Sequence, residues 1–573
     1  LEVAGFQDKI NTPSPPTLTC RLKAAHSCSA ILRIVQRHHQ DFDYINCATA
    51  MSRIGHLSSG MRPRARQALC EEIEFQMLLG TVENKVWEFG PQALANTLWA
   101  LGRLGHFPDG PFLPILAERA LWCLNGFKPQ ELANMVYGLA GMAPAAPPTR
   151  RKGHQLNWGS ADNGAITELL NAIGEQAISC LSEFKNQELC SLVWGLGSMD
   201  FYHPYLMPAA STHILQVASK FNAQDVSNVA WACSALRYYN KELLNTLADR
   251  AVDSIDQFSP QDISSTLVSF ARLGFYQEEA VNEMVAATVN NPLAFTQQQL
   301  CNTLWALAVL RVLDEGTAQH LVSAAEQGGM KGLAGTERCG SRDGLGLNSI
   351  DCAQLCHAAM VLELDLYERA QCYGQSVEYS EDGNVGEGSY KGKEENEDEQ
   401  ENEEEDGINV QEAMGISPLL WEAMLGAHHD VLQREVATVS AMQEETSKLL
   451  HCLGVPHDTN LLTDDSMICI GLAITDNGAQ IAVEAETTYQ YAINGDHIAL
   501  GERQARWALL EARGWLVVVI PAHHWNKLST EWQKASFLSG QLRLAGLDVS
   551  ADRLESDKKK EVGAGGCLSW NAA

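Results

Sequence analysis

A polar side chain returns at one point of a repeated phrase: Asn96, Asn134, Ser191, Asn228, Ser265 and Asn302, joined by Asn46 and Gln354 in two degenerate copies. Amide and hydroxyl groups in such a row could pair with the edges of successive unstacked RNA bases. The same row could equally serve as an internal ladder that caps or bridges neighbouring repeats. Further along the phrase, Arg53, Arg103 and Arg272 share a position, where a guanidinium could hold phosphate or stand in solvent. A column of Trp99, Tyr137, Trp194, Trp231 and Trp305 shares the apolar spacing and reads as core between helices rather than as a platform for bases. Glu484 and Glu486 have the same-face spacing of a strand, an arrangement that can hold a metal ion at a phosphodiester or serve structure alone. Arg503, Arg506 and Arg513 follow on a helix with Lys527 beyond, positioned to touch RNA backbone or to form a solvated face. Cys352, Cys356 and His357 lie close together but inside a helical phrase with no second ligand pair, so core packing is the better reading.

The phrase that carries the columns begins FGPQALANTLWALGRLG at Phe89 and returns from Phe127, Phe184, Phe221, Phe258 and Phe295. Subtraction puts these Phe residues 38, 57, 37, 37 and 37 positions apart, so the unit is about 37 residues and one copy holds an insertion. A period of that length is the mark of a solenoid, whose units bury their apolar faces only by stacking. Leu94, Leu98, Leu101 and Leu104 recur at helical spacing, and a second amphipathic run follows in each unit. Each unit therefore reads as an antiparallel helix pair, about seven or eight in all, over residues 24–370. DYINCATAMSRIG, from Asp43, can be laid over QALANTLWALGRLG with Asn46 on Asn96 and Arg53 on Arg103. Residues 1–23 read as a flexible lead, RPRAR at Arg62 as a basic loop, and 142–164 and 328–346 as surface insertions rich in Pro or Gly.

The net charge of −30 argues against a general polyanion-binding surface. Between Glu378 and Asp406 there are 14 acidic residues against two Lys, which makes 371–412 a solvated, disordered linker. The rest is still acidic, so any RNA site must be local. Sixteen Cys without CxxC pairing suit a reducing compartment. No stretch of about 18 uncharged apolar residues suggests a membrane partner. The sequence opens on Leu1, as a fragment of a longer chain would, and no targeting peptide is visible.

Beyond a helical lead-in at 413–453 the pattern changes to strands: ICIGLAI (Ile468) and AQIAVEAE (Ala479) joined at Asn477-Gly478, then a helix from Glu502 stopped by Gly514, a buried strand WLVVVIP (Trp515), and a last helix from Thr530. Residues 546–573 read as a disordered tail. IAVEAETTYQY followed by NGDHIALGERQARWALLEARGWLVVVIPAHHWNKL resembles the RAP domain: Glu484 and Glu486 as its acidic pair, Asn494-Gly495 as its turn, Arg503, Leu509, Leu510, Glu511, Gly514 and Trp515 as its helix and exit, and Ile520, Pro521, Trp525, Lys527 and Leu528 as its end. The repeats resemble octotricopeptide repeats of green-algal organelle factors and, more loosely, the helical region of FAST-kinase-like mitochondrial RNA regulators.

Together the resemblances imply a mostly α protein, an α-solenoid followed by a small α/β, restriction-endonuclease-like RAP domain over 466–545. They further imply an organellar factor, of the chloroplast or alternatively the mitochondrion, that binds single-stranded RNA and works with other RNA-processing proteins in transcript or ribosomal RNA processing, stability or translation. No cofactor, metal or small-molecule substrate is expected. Where such nucleases carry a first-strand Asp this chain has Cys469 or Ile470, so the expectation leans away from catalysis by Glu484 and Glu486. A protein-binding scaffold and an active endoribonuclease are the alternatives.

Overall fold

The computed structural model describes residues 14–108, 110–143, 162–333, 347–378, 409–476 and 478–549. They fall into two compact units, one ending at Asp262 and one beginning at Ile263. In the first, the helices are α1 (Pro15–Ala24), α2 (Cys28–His38), α3 (Tyr44–Leu57), α4 (Pro63–Glu71), α5 (Ile73–Lys85), α6 (Pro91–Leu104), α7 (Phe112–Trp122), α8 (Pro129–Met142), α9 (Asp162–Ser179), α10 (Asn186–Ser198), α11 (Leu206–Val217), α12 (Ala223–Ala235) and α13 (Lys241–Asp253). The first helices of the repeats, α3, α6, α8, α10 and α12, stack side by side. The second helices, α2, α5, α7, α9, α11 and α13, form the other layer. The α-solenoid is built from these pairs.

The first helices start alike: the leading Phe is buried and the next residue is the N-cap, and in every copy but α6, where Ala93 stands, the residue four after the Phe reaches back to the cap. Glu131 accepts from Lys128 N at 2.9 Å, Glu188 from Lys185 N at 3.0 Å and Asp225 from Asn222 N at 3.2 Å. This capping fixes the true register of the first copy. Phe42 is its buried leading aromatic, and Asn46 accepts from Asp43 N at 3.2 Å as the capping residue. Asn46 therefore belongs four residues after the Phe and not seven, where Thr49 stands.

Small residues let the first helices approach backbone to backbone. A Cβ on Gly138 would overlap the Leu98 backbone, and one on Gly141 would lie 2.5 Å from Gly102 O. A second-layer Arg also ties the second helix to the start of its own repeat: Arg119 Nε donates to Phe89 O at 2.9 Å and Arg250 Nε to Phe221 O at 2.7 Å.

α14 (Pro260–Leu273) leads into the second unit, followed by α15 (Glu278–Asn290), α16 (Gln297–Val309), α17 (Glu315–Leu333), α18 (Ser349–Glu378), α19 (Val410–Ala413), α20 (Pro418–Val436) and α21 (Ala441–Cys452). Within this unit α16, α18 and α20 stack in sequence, so the helix after the acidic segment continues the array. Then come β1 (Asp458–Leu462), β2 (Cys469–Asp476), β3 (Ala479–Glu486), β4 (Tyr491–Ala492), β5 (Gly495–Ala499), α22 (Gly501–Ala512), β6 (Leu516–Pro521), α23 (Ala522–Trp525) and α24 (Glu531–Leu544). The sheet order is β1-β2-β3-β6, antiparallel until β3 and β6, which run parallel through the crossover helix α22. Strand alternation sends Ile481 and Val483 into a core with Leu449, Leu450, Leu538 and Leu542 of α21 and α24. It sends Glu484 and Glu486 to the other face.

Several expected boundaries differ. The lead is helical from Pro15, because a Pro-Pro start and Leu18 and Leu22 at i, i+4 spacing give α1 a buried stripe, and it packs on α3. RPRAR is the start of α4, with Pro63 at its first turn. α18 runs to Glu378, beyond the expected end at 370, and β1 precedes the expected domain start. Most of 142–164, 328–346 and 371–412, and the tail beyond 549, lies outside the described residues.

The glycine contacts give a direct check. Gly138→Val forces the α6 and α8 backbones apart and should cost about 1–3 kcal/mol, read as a lowered unfolding midpoint. Gly60→Ala, with nothing within 4 Å of an added Cβ, should leave it unchanged. Equal midpoints for both variants would contradict the packing argument.

Candidate nucleic-acid interface

The solvent side of each first helix in the first unit is one stripe, set by spacings of four, three and four residues that keep side chains on one helical face. On α6 it is Gln92, Asn96, Trp99 and Arg103; on α8 Gln130, Asn134, Tyr137 and Gly141; on α10 Gln187, Ser191, Trp194 and Ser198; on α12 Gln224, Asn228, Trp231 and Ala235. The Gln is exposed in all four, and the Asn or Ser and the ring are half-buried. The side-chain amides of Asn96, Asn134 and Asn228 make no hydrogen bond with other described residues, so they do not form an internal ladder. Sequence reasoning missed the Gln column, although its signal is plain: Gln stands three residues after every leading Phe from Phe89 to Phe295.

The rings are not core in this unit. Tyr137 and Trp194 have centroids 5.3 Å apart, Trp194 and Trp231 5.8 Å, and His56 lies 4.6 Å from Trp99. They form a surface ladder beside the amides. The apolar spacing places a ring on the helix flank but does not say whether a neighbouring helix covers it.

Other expected residues are placed differently. Asn46 is buried, and its Nδ2 donates to Pro15 O at 2.9 Å and Thr19 Oγ1 at 2.7 Å. Arg53 Nη2 donates to Ala25 O at 2.7 Å, so it anchors α1 rather than a phosphate. Arg103 stays half-exposed at the end of α6, whose carbonyl there accepts from Arg66 Nη1 at 2.9 Å. In the second unit Ser265 and Asn302 hold the expected position half-buried, whereas Arg272 lies 3.8 Å from Glu502 and 6.0 Å from the Trp305 ring. Gln354 is half-buried with its Oε1 enclosed and unpaired.

In the C-terminal domain the acidic pair and the basic helix neutralise each other. Arg506 holds Glu484 through two parallel bonds, Nε to Oε2 at 3.0 Å and Nη2 to Oε1 at 3.1 Å, and Arg503 Nη1 adds a third at 3.3 Å. Arg506 Nη2 also donates to Cys469 O. Trp507 Nε1 donates to Glu486 Oε1 at 3.0 Å. Burial pushes the Glu484 carboxyl up, but Arg506 and then Arg503 outweigh it and hold it below the usual range. Burial prevails at Glu486, which is raised although Tyr491, Arg503 and Trp507 pull the other way. Arg503 and Arg506 are thus committed to β3 and are not a phosphate surface. Arg513 is likewise tied to Asp465, 2.6 Å away. Lys527 is exposed beyond α23. A metal ion at Glu484 would have to displace a fitted guanidinium, and no three His, Cys, Asp or Glu converge on a metal site among the described residues.

The family model for the RAP domain matches residues 484–540, which is β3 through most of α24. The C-terminal domain is a RAP domain. A second family model, described as RNA-editing substrate-binding complex 6 protein, matches residues 164–332, within the repeats. A curated relative from Oryza sativa subsp. japonica, "RAP domain-containing protein, chloroplastic", is 27% identical over 161 residues. That alignment covers 27% of this chain and 22% of the rice protein, so the chain matches about a fifth of the relative's length.

The Glu484 clamp carries the RAP domain's testable chemistry. A folded pKa below the unfolded one adds stability that is fully present above the ordinary carboxylate value, about 4.3, and is lost as pH falls through the lowered value. Glu484→Gln should therefore flatten the acid limb of the stability curve. Arg506→Met strands a buried carboxylate and should cost about 3–5 kcal/mol. Adding Glu484→Leu to it should restore most of that loss. Equal losses in the single and double variants would contradict the clamp.

Proposed function

We propose that the chain is a chloroplast RNA-binding factor that holds a single-stranded transcript along the Gln–Asn–ring stripe. The observation that carries this reading is the half-exposed ladder of Trp99, Tyr137, Trp194 and Trp231 beside unbonded amides. Each ring offers a face for one base, and the adjacent Asn or Ser offers hydrogen bonds to that base's edge. Packed helices lie about 8–10 Å apart, so one base per repeat requires a splayed, unstacked strand. A duplex cannot present its bases in this way.

The matches to an RNA-editing substrate-binding family over the repeats and to the RAP domain support an RNA partner, with other RNA-processing proteins as further partners. The chloroplastic name of the rice relative supports the compartment. The repeats fit the octotricopeptide type, and the role we assign is processing, stabilisation or translation of a transcript or ribosomal RNA. The RAP domain assists without cutting, since Arg506 occupies the carboxylate a metal would need. The net charge of −30 favours one other reading, a scaffold for basic peptides.

Replacing Trp194 or Trp231 by Ala should weaken binding to single-stranded RNA by about 5- to 150-fold per ring, the equivalent of roughly 1–3 kcal/mol per stacked base. The helical circular-dichroism signal should not change. Unchanged RNA affinity together with tight binding of a Lys-rich peptide would support the scaffold instead.

A further inference from the structure

Within the second unit the positions that correspond to the stripe are covered by a helix of the RAP domain. In the second unit the residues at the ring position are Val268, Trp305 and His357, and the first two are buried, unlike Trp99, Tyr137, Trp194 and Trp231. The cover is α22, which packs on α16 and α18. Its first residue, Gly501, sits so close to α14 that a Cβ would overlap Ala271 O. Glu502 faces Arg272 at 3.8 Å, and Arg272 lies over the Trp305 ring. His357 is pushed down to about 4 by burial, with Glu502 opposing and His428 of α20 and Arg506 of α22 reinforcing the shift, which places both helices around it. Gln354 Oε1 and His357 Nδ1 are enclosed there without a hydrogen-bond partner.

Resting on the RNA reading above, we infer that α22 is a built-in stop that takes the place of RNA on the last repeats. The bound strand is then read through the open rings of α6, α8, α10 and α12, and α16 and α18 contribute no base stacking. The RAP domain in this role sets how many nucleotides the repeats engage. It acts by occupying the surface, and no bond is made or broken. Gly501 is the positioning residue, because only a residue without a side chain admits that approach to Ala271.

The test uses the full chain crosslinked to single-stranded RNA of randomised sequence carrying 4-thiouridine, with the crosslinked peptides mapped by mass spectrometry. Crosslinks are expected on the stripe peptides of α6, α8, α10 and α12 and not on those carrying Trp305 or His357. In Gly501→Val, which lifts α22, crosslinks to Trp305 and His357 should appear. Wild-type crosslinks to Trp305 or His357 as strong as those to Trp194 would overturn the stop while leaving the RNA reading in place. Crosslinks on no stripe at all would overturn both. The wild-type map decides the question even if Gly501→Val fails to fold.

Discussion

Everything on the stripe depends on how closely the first helices of the repeats approach one another. At Gly102, Gly138 and Gly141 the approach is backbone against backbone, with no room for a Cβ. Large side chains are thereby expelled to the flanks, where Trp and Tyr rings meet their counterparts on the next helix at 5.3 and 5.8 Å. Capping adds a second constraint, since the residue four after the leading Phe fixes where the helix begins in the copies that carry a polar side chain there, such as Glu131, Glu188 and Asp225. Start point and spacing together put Gln, Asn or Ser, and the ring at the same height in successive repeats. A row that exists only through such repetition suits a polymer of regularly spaced units.

The charge of the chain limits how such a row can work. With an excess of 30 negative charges, long-range attraction for phosphate is absent, and two arginines that could have supplied it are held by Glu484 on β3. What the stripe offers is π-faces and uncharged donors and acceptors. Recognition of that kind is short-ranged, and it favours a strand whose bases are already unstacked. The RAP domain fits this economy of charge: its buried ion pairs join β3 to α22, and α22 in turn lies against the terminal repeats.

Much of this was legible in the sequence, because repeats at a 37-residue spacing state their own architecture and the RAP-type phrase runs from Glu484 to Leu528. Single repeat copies were harder. Similarity of the phrase aligns Asn46 with Asn96, whereas the cap at Asp43 and the buried Phe42 set a different register. The same shift takes Arg53 out of the Arg103 position. The exposure of Trp99 and Trp194 was hidden because apolar periodicity marks a face without saying whether a partner covers it. Arg503 and Arg506 read as a basic helix face, and only the parallel pairing of β3 with β6 through α22 brings them onto Glu484.

The central claim is recognition by stacking and uncharged contacts, and the salt dependence of RNA affinity tests it most directly. For single strands the logarithm of affinity falls with the logarithm of salt at a slope of roughly 0.7 for each phosphate neutralised. A stripe with Arg103 as its one cation on α6, α8, α10 and α12 should give a slope no steeper than about −1.5, the allowance for two phosphates at that rate. A slope of about −4 or steeper, as six or more phosphate contacts would produce, would contradict the account.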